Sequence, residues 1–291
     1  MKTGVCIIGR NDGYGGHLEE RAIYSINSAL KAFDEVVYVD WNSPTEETLL
    51  EKVKTYIPEF DRVQRYRVRK ENVKFLTHQQ DIQKCCEVLA RNIGIRRMVE
   101  QKIDFIVSSN IDIIFPKKEQ LNSFIREYMT DNLFCSVSRR DVNIKFGSQD
   151  WQQNANAILE KFDKIHEKLN LEFLNFQYKN YDPFHGHSCM ITSCGDFQIA
   201  HSKVWNKIRG FEEDFQKRGF NDTNVQLKAY HSGSPLFAYF HLPVFHINHD
   251  GGGHSGNGDL SFSKEEACYN RKTTQNSEKW GFINSDFIER F

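Results

Sequence analysis

The tightest constraint on the fold lies in the first forty residues. A short apolar run, "GVCIIG" (4–9), ends in glycine. Residues 18–33 then set Ala22, Ile23, Ile26, Ala29, Leu30 and Phe33 along one helical face, and "EVVYVD" (35–40) is a second run of β-favouring residues. Strand, helix, strand over this span is a βαβ unit, whose two strands must run parallel in one sheet with the helix packed on a face. The class expected is α/β, with a Rossmann-like, mostly parallel sheet flanked by helices. At 291 residues the chain is long enough for a substantial core, as one large domain or two closely packed subdomains.

The pattern continues down the chain. Residues 46–57 read as helix and "VQRYRV" (63–68) as a third strand. Ile82, Cys85, Leu89 and Ile93 mark a helix over 79–101. A fourth strand opens "FIVSSNIDIIFP" (105–116), a helix follows at 117–129, and "LFCSV" (133–137) is the next strand. Residues 141–190 differ, being polar and aromatic, and read as a helical and loop insertion facing a second ligand. "KVWNKIR" is a short helix with Ser202 as N-cap and Gly210 as its stop. The loop "HDGGGHSGNGD" (249–259) is too rich in glycine for regular structure.

Composition excludes some functions. With 38 basic and 39 acidic residues the formal net charge is -1, which offers no global attraction to nucleic acid or an anionic membrane surface. The 23 phenylalanines are read mainly as core. Cys6, Cys135 and the Cys85–Cys86 pair lie in apolar or helical runs, and seven is an odd number. Reduced thiols and a cytoplasmic setting are expected. No leader sequence and no membrane span is read from the chain.

In an open parallel sheet, ligands bind at the carboxyl ends of the strands. Three predicted strands end in polar residues there: Arg10, Asn11 and Asp12 after the first, Asp40, Trp41 and Asn42 after the second, Asn110 and Asp112 after the fourth. Asp112 stands between hydrophobic residues, and a carboxylate so placed needs a cation or several donors, as a structural, turn-forming or metal-binding group. Gly9, Gly13, Gly15 and Gly16 do not spell the dinucleotide-binding G-x-G-x-x-G, and no P-loop occurs. His246, His249 and His254 fall within nine residues beside Asp250 and five glycines, a pattern for metal or diphosphate binding under a closing loop.

Three blocks in order resemble GT-A-type glycosyltransferases, of the inverting, family-2-like or galactosyltransferase-like kind. "VVYVDWNSPTEE" is similar to their strand and acidic turn that hold a nucleotide sugar. "ARNIGIRRMVEQKIDFIVSSNIDIIFP" (90–116) is similar to the block leading to their metal-binding D-x-D. "CGDFQIAHSKVWNKIRGFEEDFQKRGFNDTNV" (194–225) is similar to their acceptor and catalytic block. The resemblance implies a GT-A-type sheet with an acceptor-side insertion. It implies residues 1–116 as the nucleotide-sugar half, 117–250 as the acceptor and catalytic half with insertion 141–190, and 251–291 as a C-terminal lid and tail.

By the same resemblance, Arg10, Asn11, Asp40, Trp41, Arg91, Asn92 and Asn110 bind the donor nucleotide. Trp41 stands where a second Asp is common and is read as stacking on the base. Asp112 is the direct metal ligand, helped by His249 and then His246. Asp222 is the base, with Asn221 in place of the usual Glu. Gly195, Asp196, Asn221 and Glu212 contact the sugar or acceptor, although the alternative for Glu212, Glu213 and Asp214 is a solvated helix end. "HGH" (185–187) with Asp182 is read equally as acceptor contact or polar loop. The cofactor implied is a divalent cation, Mn2+ before Mg2+. The partners are a nucleotide-sugar donor, a UDP-sugar first, and a carbohydrate or glycoconjugate acceptor. Two other readings stand beside this one: a non-catalytic nucleotide-sugar or glycan-binding relative, and a sugar-nucleotide pyrophosphorylase, whose opening loop has a Thr-Arg, a Pro and a Lys absent here.

Overall fold

The structure is a computed structural model that describes residues 1–77, 85–145, 162–169, 195–216, 221–250 and 272–291. Most of the 141–190 insertion, the "HGH" segment with Asp182, and the glycine-rich loop beyond Asp250 lie outside the described residues.

The expected βαβ start is present. β1 (Thr3–Gly9) and β2 (Glu35–Trp41) pair in parallel across α1 (Leu18–Ala32), with Ile8 opposite Val39. α2 (Leu49–Val53) leads to β3 (Val63–Val68), parallel to β2. α3 (Lys70–Leu76) and α4 (Glu87–Glu100) lead to β4 (Phe105–Asn110), parallel to β1 on its other side. The chain continues through the two-residue β5 (Ile113–Ile114), α5 (Lys118–Tyr128), β6 (Phe134–Val137) and β7 (Arg140–Val142). After a helical stretch at 162–169 come β8 (Phe197–His201), α6 (Ser202–Ile208), α7 (Asn221–His231), β9 (Leu236–Tyr239), β10 (Phe245–Ile247) and β11 (Ile288–Arg290).

The main sheet has eight strands in the order β11-β3-β2-β1-β4-β8-β6-β9, and a small second sheet has the order β5-β10-β7. The order 3-2-1-4 puts the topological switch between β1 and β4, where their carboxyl ends diverge and leave a crevice. Every residue of β1 is buried because both faces of the sheet are covered. Val5 and Ile7 face α1, packing with Ala22, Ile23 and Ile26. Cys6 and Ile8 point the other way, to Leu89 and Ile93 of α4 and to Trp205.

Several expectations shift. Of the helix expected over 79–101, residues 79–84 lie outside the described residues; α4 begins at Glu87, with Cys86 as its N-cap at φ −85° and ψ 88°. Cys86 is buried with Val73 and Leu76, and this packing prevails over helical spacing at Cys85–Cys86. The α-helix within 46–57 is confined to α2, capped by the Thr48–Glu51 box. His201, not Ser202, caps α6, its Nδ1 accepting from the Lys203 amide at 3.1 Å. Residues 272–291 pack on the sheet and α4. β11 adds an antiparallel edge strand to β3, Trp280 is buried in the α4 face, and Arg69 grips Glu289 at 2.7 and 2.9 Å. Among the described residues no helix is long and apolar enough to cross a membrane, and Cys6, Cys85, Cys86 and Cys135 are free thiols.

Candidate active site

β4 ends at Asn110, and the turn at Ile111–Asp112 hands the chain to β5. β10 pairs antiparallel with β5, with His246 opposite Ile113, and the Ile247 amide donates to the Asp112 carbonyl at 2.9 Å. That register sets the Asp112 and His246 side chains together, and His249 follows three residues later. His249 Nε2 lies 3.1 Å and His246 Nε2 3.6 Å from Asp112 Oδ2. Candidate ligand atoms of the three residues lie within 4.8 Å of one another, a group that could hold a metal ion.

The hydrogen bonds behind the imidazoles define their tautomers. His246 Nδ1 is 2.9 Å from Asp141 Oδ1, and His249 Nδ1 is 3.1 Å from the Asp250 carbonyl oxygen. Carboxylate and carbonyl oxygens accept only, so both Nδ1 atoms donate. Each neutral ring therefore presents an Nε2 lone pair toward a carboxylate oxygen. Three acceptors converging on one point need a cation between them, or protons on the rings. Among the described residues, the buried Asp112 Oδ1 has no hydrogen-bond partner. One carboxylate and two imidazoles with their rings oriented from behind fit a divalent cation.

Arg21, which the sequence reading missed, stands on the other side. It is fully buried. Its Nη1 is 3.3 Å from Asp112 Oδ2, its Nε donates to the Gly16 carbonyl at 3.2 Å, and Nη2 donates to the Tyr14 carbonyl. It thereby fastens the glycine loop to the acidic turn. Burial would raise the Asp112 carboxyl, but its contacts with His246 and His249 and the charge of Arg21 outweigh it and hold that carboxyl well below the usual range. Gly15 completes this contact: its φ is +71°, and a Cβ there would fall 2.8 Å from the Asp250 carbonyl oxygen and closer still to His249 Nδ1.

Asn110 does not join the metal cluster. Its Oδ1 accepts from Arg91 and its Nδ2 donates to Asp196, because the turn between it and Asp112 sends the two side chains to different partners. Arg91 also donates to Ser108 Oγ at 2.8 Å and the Ser109 carbonyl at 3.2 Å, bracing the end of β4. Asp196 is held in turn by Arg139. Asp222 opens α7 against the turn before β8. A Cβ on Gly195 would stand 2.5 Å from Asp222 Cβ, so the glycine permits that approach. Gln198 Nε2 fixes the Asp222 carbonyl at 2.9 Å, and Thr223 N donates to its Oδ1 at 2.9 Å. Burial raises the Asp222 carboxyl above its ordinary range. Asn221 is buried, with no partner for its Oδ1 among the described residues.

The second strand end is knitted to the first. Arg10 Nε donates to the Asn42 carbonyl at 2.8 Å, and Asn11 donates to Thr45 Oγ1 and the Glu47 carbonyl, both at 3.0 Å. Asp40 is fully buried, bonded to Ser43 Oγ at 2.5 Å and facing Arg67 Nε at 3.5 Å. Burial pushes its carboxyl up to about 6. Trp41 corrects the stacking expectation: its indole is fully buried in the core beside Val68, with no face for a base. Asn92 is spent on the Phe211 backbone, accepting from N at 2.7 Å and donating to O at 2.8 Å, and on Glu213. Glu212 is no solvated helix end. It is 1% exposed and accepts from Asn224 at 3.0 Å. Arg139 and Asp141 carry no signal a sequence reader could use, since their partners lie 57 and 105 positions away. Arg21 does leave one: a charge in the buried first turn of a helix that follows a glycine loop.

No family model and no curated protein sequence matches the chain. Solved structures match its fold. The S. aureus TarS 1–349 structure in complex with UDP-GlcNAc is 16% identical over 87% of this chain and 60% of that one, with TM-score 0.50. The structure of GalNAc-T7 with UDP, GalNAc and Mn2+ is 14% identical over 86% of this chain and 44% of that one, with TM-score 0.53. The chain spans less than two thirds of either. The fold is GT-A-type, as the three sequence blocks implied.

Proposed function

We propose that this chain is a metal-dependent glycosyltransferase, which moves a sugar from a nucleotide-sugar donor, a UDP-sugar, to a hydroxyl of a glycan or glycoconjugate with inversion. The observation that carries the reading is the convergence of Asp112, His246 Nε2 and His249 Nε2 beside the switch point of a GT-A-type sheet. The TarS and GalNAc-T7 structures that share this fold hold UDP-GlcNAc, and UDP with Mn2+, respectively.

When bound, a divalent cation, Mn2+ in our reading, stabilises the charge that builds on a leaving nucleoside diphosphate. Asp112, His246 and His249 hold it. Asp40, Arg10 and Asn11 sit at the strand ends proposed for the nucleoside, and Arg91 and Asn110 brace the β4 end of the crevice. Asp222 takes the proton of the acceptor hydroxyl. Its raised carboxyl supports that role, because a buried carboxylate that binds a proton more tightly is a stronger base. Gly195 and Asp196 form the turn beside it, where the sugar and acceptor are proposed to lie.

The test is a panel of nucleotide sugars with and without Mn2+, scored by thermal shift and by donor turnover. A UDP-sugar should stabilise the protein only with metal, and Asp112→Ala should abolish that stabilisation. Asp222→Asn should spare binding and abolish transfer. Binding without any turnover, across donors and acceptors, would favour a non-catalytic nucleotide-sugar-binding relative. Metal-independent donor binding would overturn the site assignment.

A further inference from the structure

A line of polar side chains runs from the proposed metal cluster to the turn beside Asp222. His246 Nδ1 meets Asp141 Oδ1 at 2.9 Å. The same oxygen is paired with Arg139 Nε at 3.2 Å, and Arg139 Nη1 donates to Asp196, which accepts from Asn110. β10 and β7 run parallel with His246 opposite Asp141, so backbone register keeps this pair in contact. Arg139 thus satisfies two carboxylates through two edges of one planar group, a geometry lysine cannot reproduce.

We propose that Asp141 and Arg139 are positioning residues: Asp141 holds the His246 ring with Nε2 free to ligate, and Arg139 locks Asp141 in place by bridging it to Asp196. The inference rests on the metal reading above. Without Asp141 the imidazole is free to turn or to carry its proton on Nε2, the tautomer that cannot ligate through that atom. Arg139 acts only through Asp141, so its loss should matter less, and should not matter at all once Asp141 is gone. The bridge also makes the two rims of the crevice one unit, since Asp196 belongs to the turn of Gly195, which touches Asp222.

The experiment is Mn2+ titration of the full chain by calorimetry, with wild type, Asp112→Ala, Asp141→Ala, Arg139→Met and the double variant. Asp112→Ala should abolish binding; if it does not, the metal reading fails, whatever the others show. Given that loss, Asp141→Ala should weaken Mn2+ by about 10–100-fold. Arg139→Met should weaken it by a smaller factor, and the double variant should match Asp141→Ala. Unchanged affinity in Asp141→Ala, or independent multiplication of the two effects in the double variant, overturns the proposal. A readout that needs no variant is 15N histidine NMR of the zinc-loaded wild type. His246 should ligate through Nε2 with Nδ1 protonated, and ligation through Nδ1 overturns the assignment. Asp141 is an exposed side chain at 38%, so its truncation leaves no buried cavity.

Discussion

One methyl group at Gly15 tests the architecture of the site. The φ of Gly15 is +71°, and a Cβ there would meet His249 Nδ1 and, at 2.8 Å, the Asp250 carbonyl oxygen. Gly13 is the matched control, with φ +69° and nothing within 4 Å of a Cβ. Alanine at either position costs roughly 1–2 kcal/mol of left-handed backbone strain, a few degrees in Tm for a chain of this length. Only at Gly15 must a proposed ligand move as well. His249 Nε2 is 3.1 Å from Asp112 Oδ2, and its ring is held from behind by the Asp250 carbonyl that the methyl would strike. Displacing an oriented ligand should weaken Mn2+ by about 100-fold, which is roughly 2.7 kcal/mol of binding free energy. Thermal melts and Mn2+ titrations of Gly13→Ala and Gly15→Ala, side by side, separate the two effects. A larger melting loss at Gly15, together with a Mn2+ affinity gap, is expected. If Gly15→Ala binds Mn2+ as Gly13→Ala does, His249 is not a ligand and the packing argument for the glycine loop fails.

Other outcomes follow from the same geometry. Gly195→Ala carries no left-handed strain but places a methyl 2.5 Å from Asp222 Cβ; it should leave Mn2+ binding at the wild-type level and lower transfer by about 100-fold or more, and wild-type turnover would count against Asp222 as base. Asp40 gives a pH signature. Its folded value of about 6 stands above 3.8, so between these values the folded protein keeps a proton that the unfolded chain has lost. Stability should therefore fall as pH rises from about 4 to about 6, by roughly 3 kcal/mol, and Asp40→Asn should flatten that slope in pH-resolved melts. Asn92→Ala strips the Phe211 backbone of two buried bonds and should cost roughly 2–4 kcal/mol by denaturant unfolding; a loss below about 1 kcal/mol would mean that the clamp is not formed in solution.

The parts of the fold read most securely from sequence were those with local periodicity. Residues 63–68 were expected as a strand and form β3, because alternation and apolar runs need only short-range information. Within the helix expected at 79–101, Cys85 and Cys86 stand outside α4, since Cys86 obeys helical spacing while it is buried with residues of α3. In the site, Asp112 was legible because a carboxylate between isoleucines is costly unless compensated, and His246 and His249 because three histidines in nine residues are unusual. Trp41 was misjudged because a strand-end position does not reveal which way the side chain points. Its place in the core follows from pleat and sheet packing.

By itself, the sequence determined that an α/β sheet would gather polar strand ends on one edge, and it named the carboxylate and two imidazoles that meet there. Their pattern is written in residue type and spacing, which local chemistry can read. Only the tertiary structure decided what stands behind them. Arg21 reaches Asp112 across 91 positions, and Asp141 reaches His246 across 105. Which lone pair each histidine presents is set by the group on its far side, and strand register, not proximity in the chain, brings that group into contact.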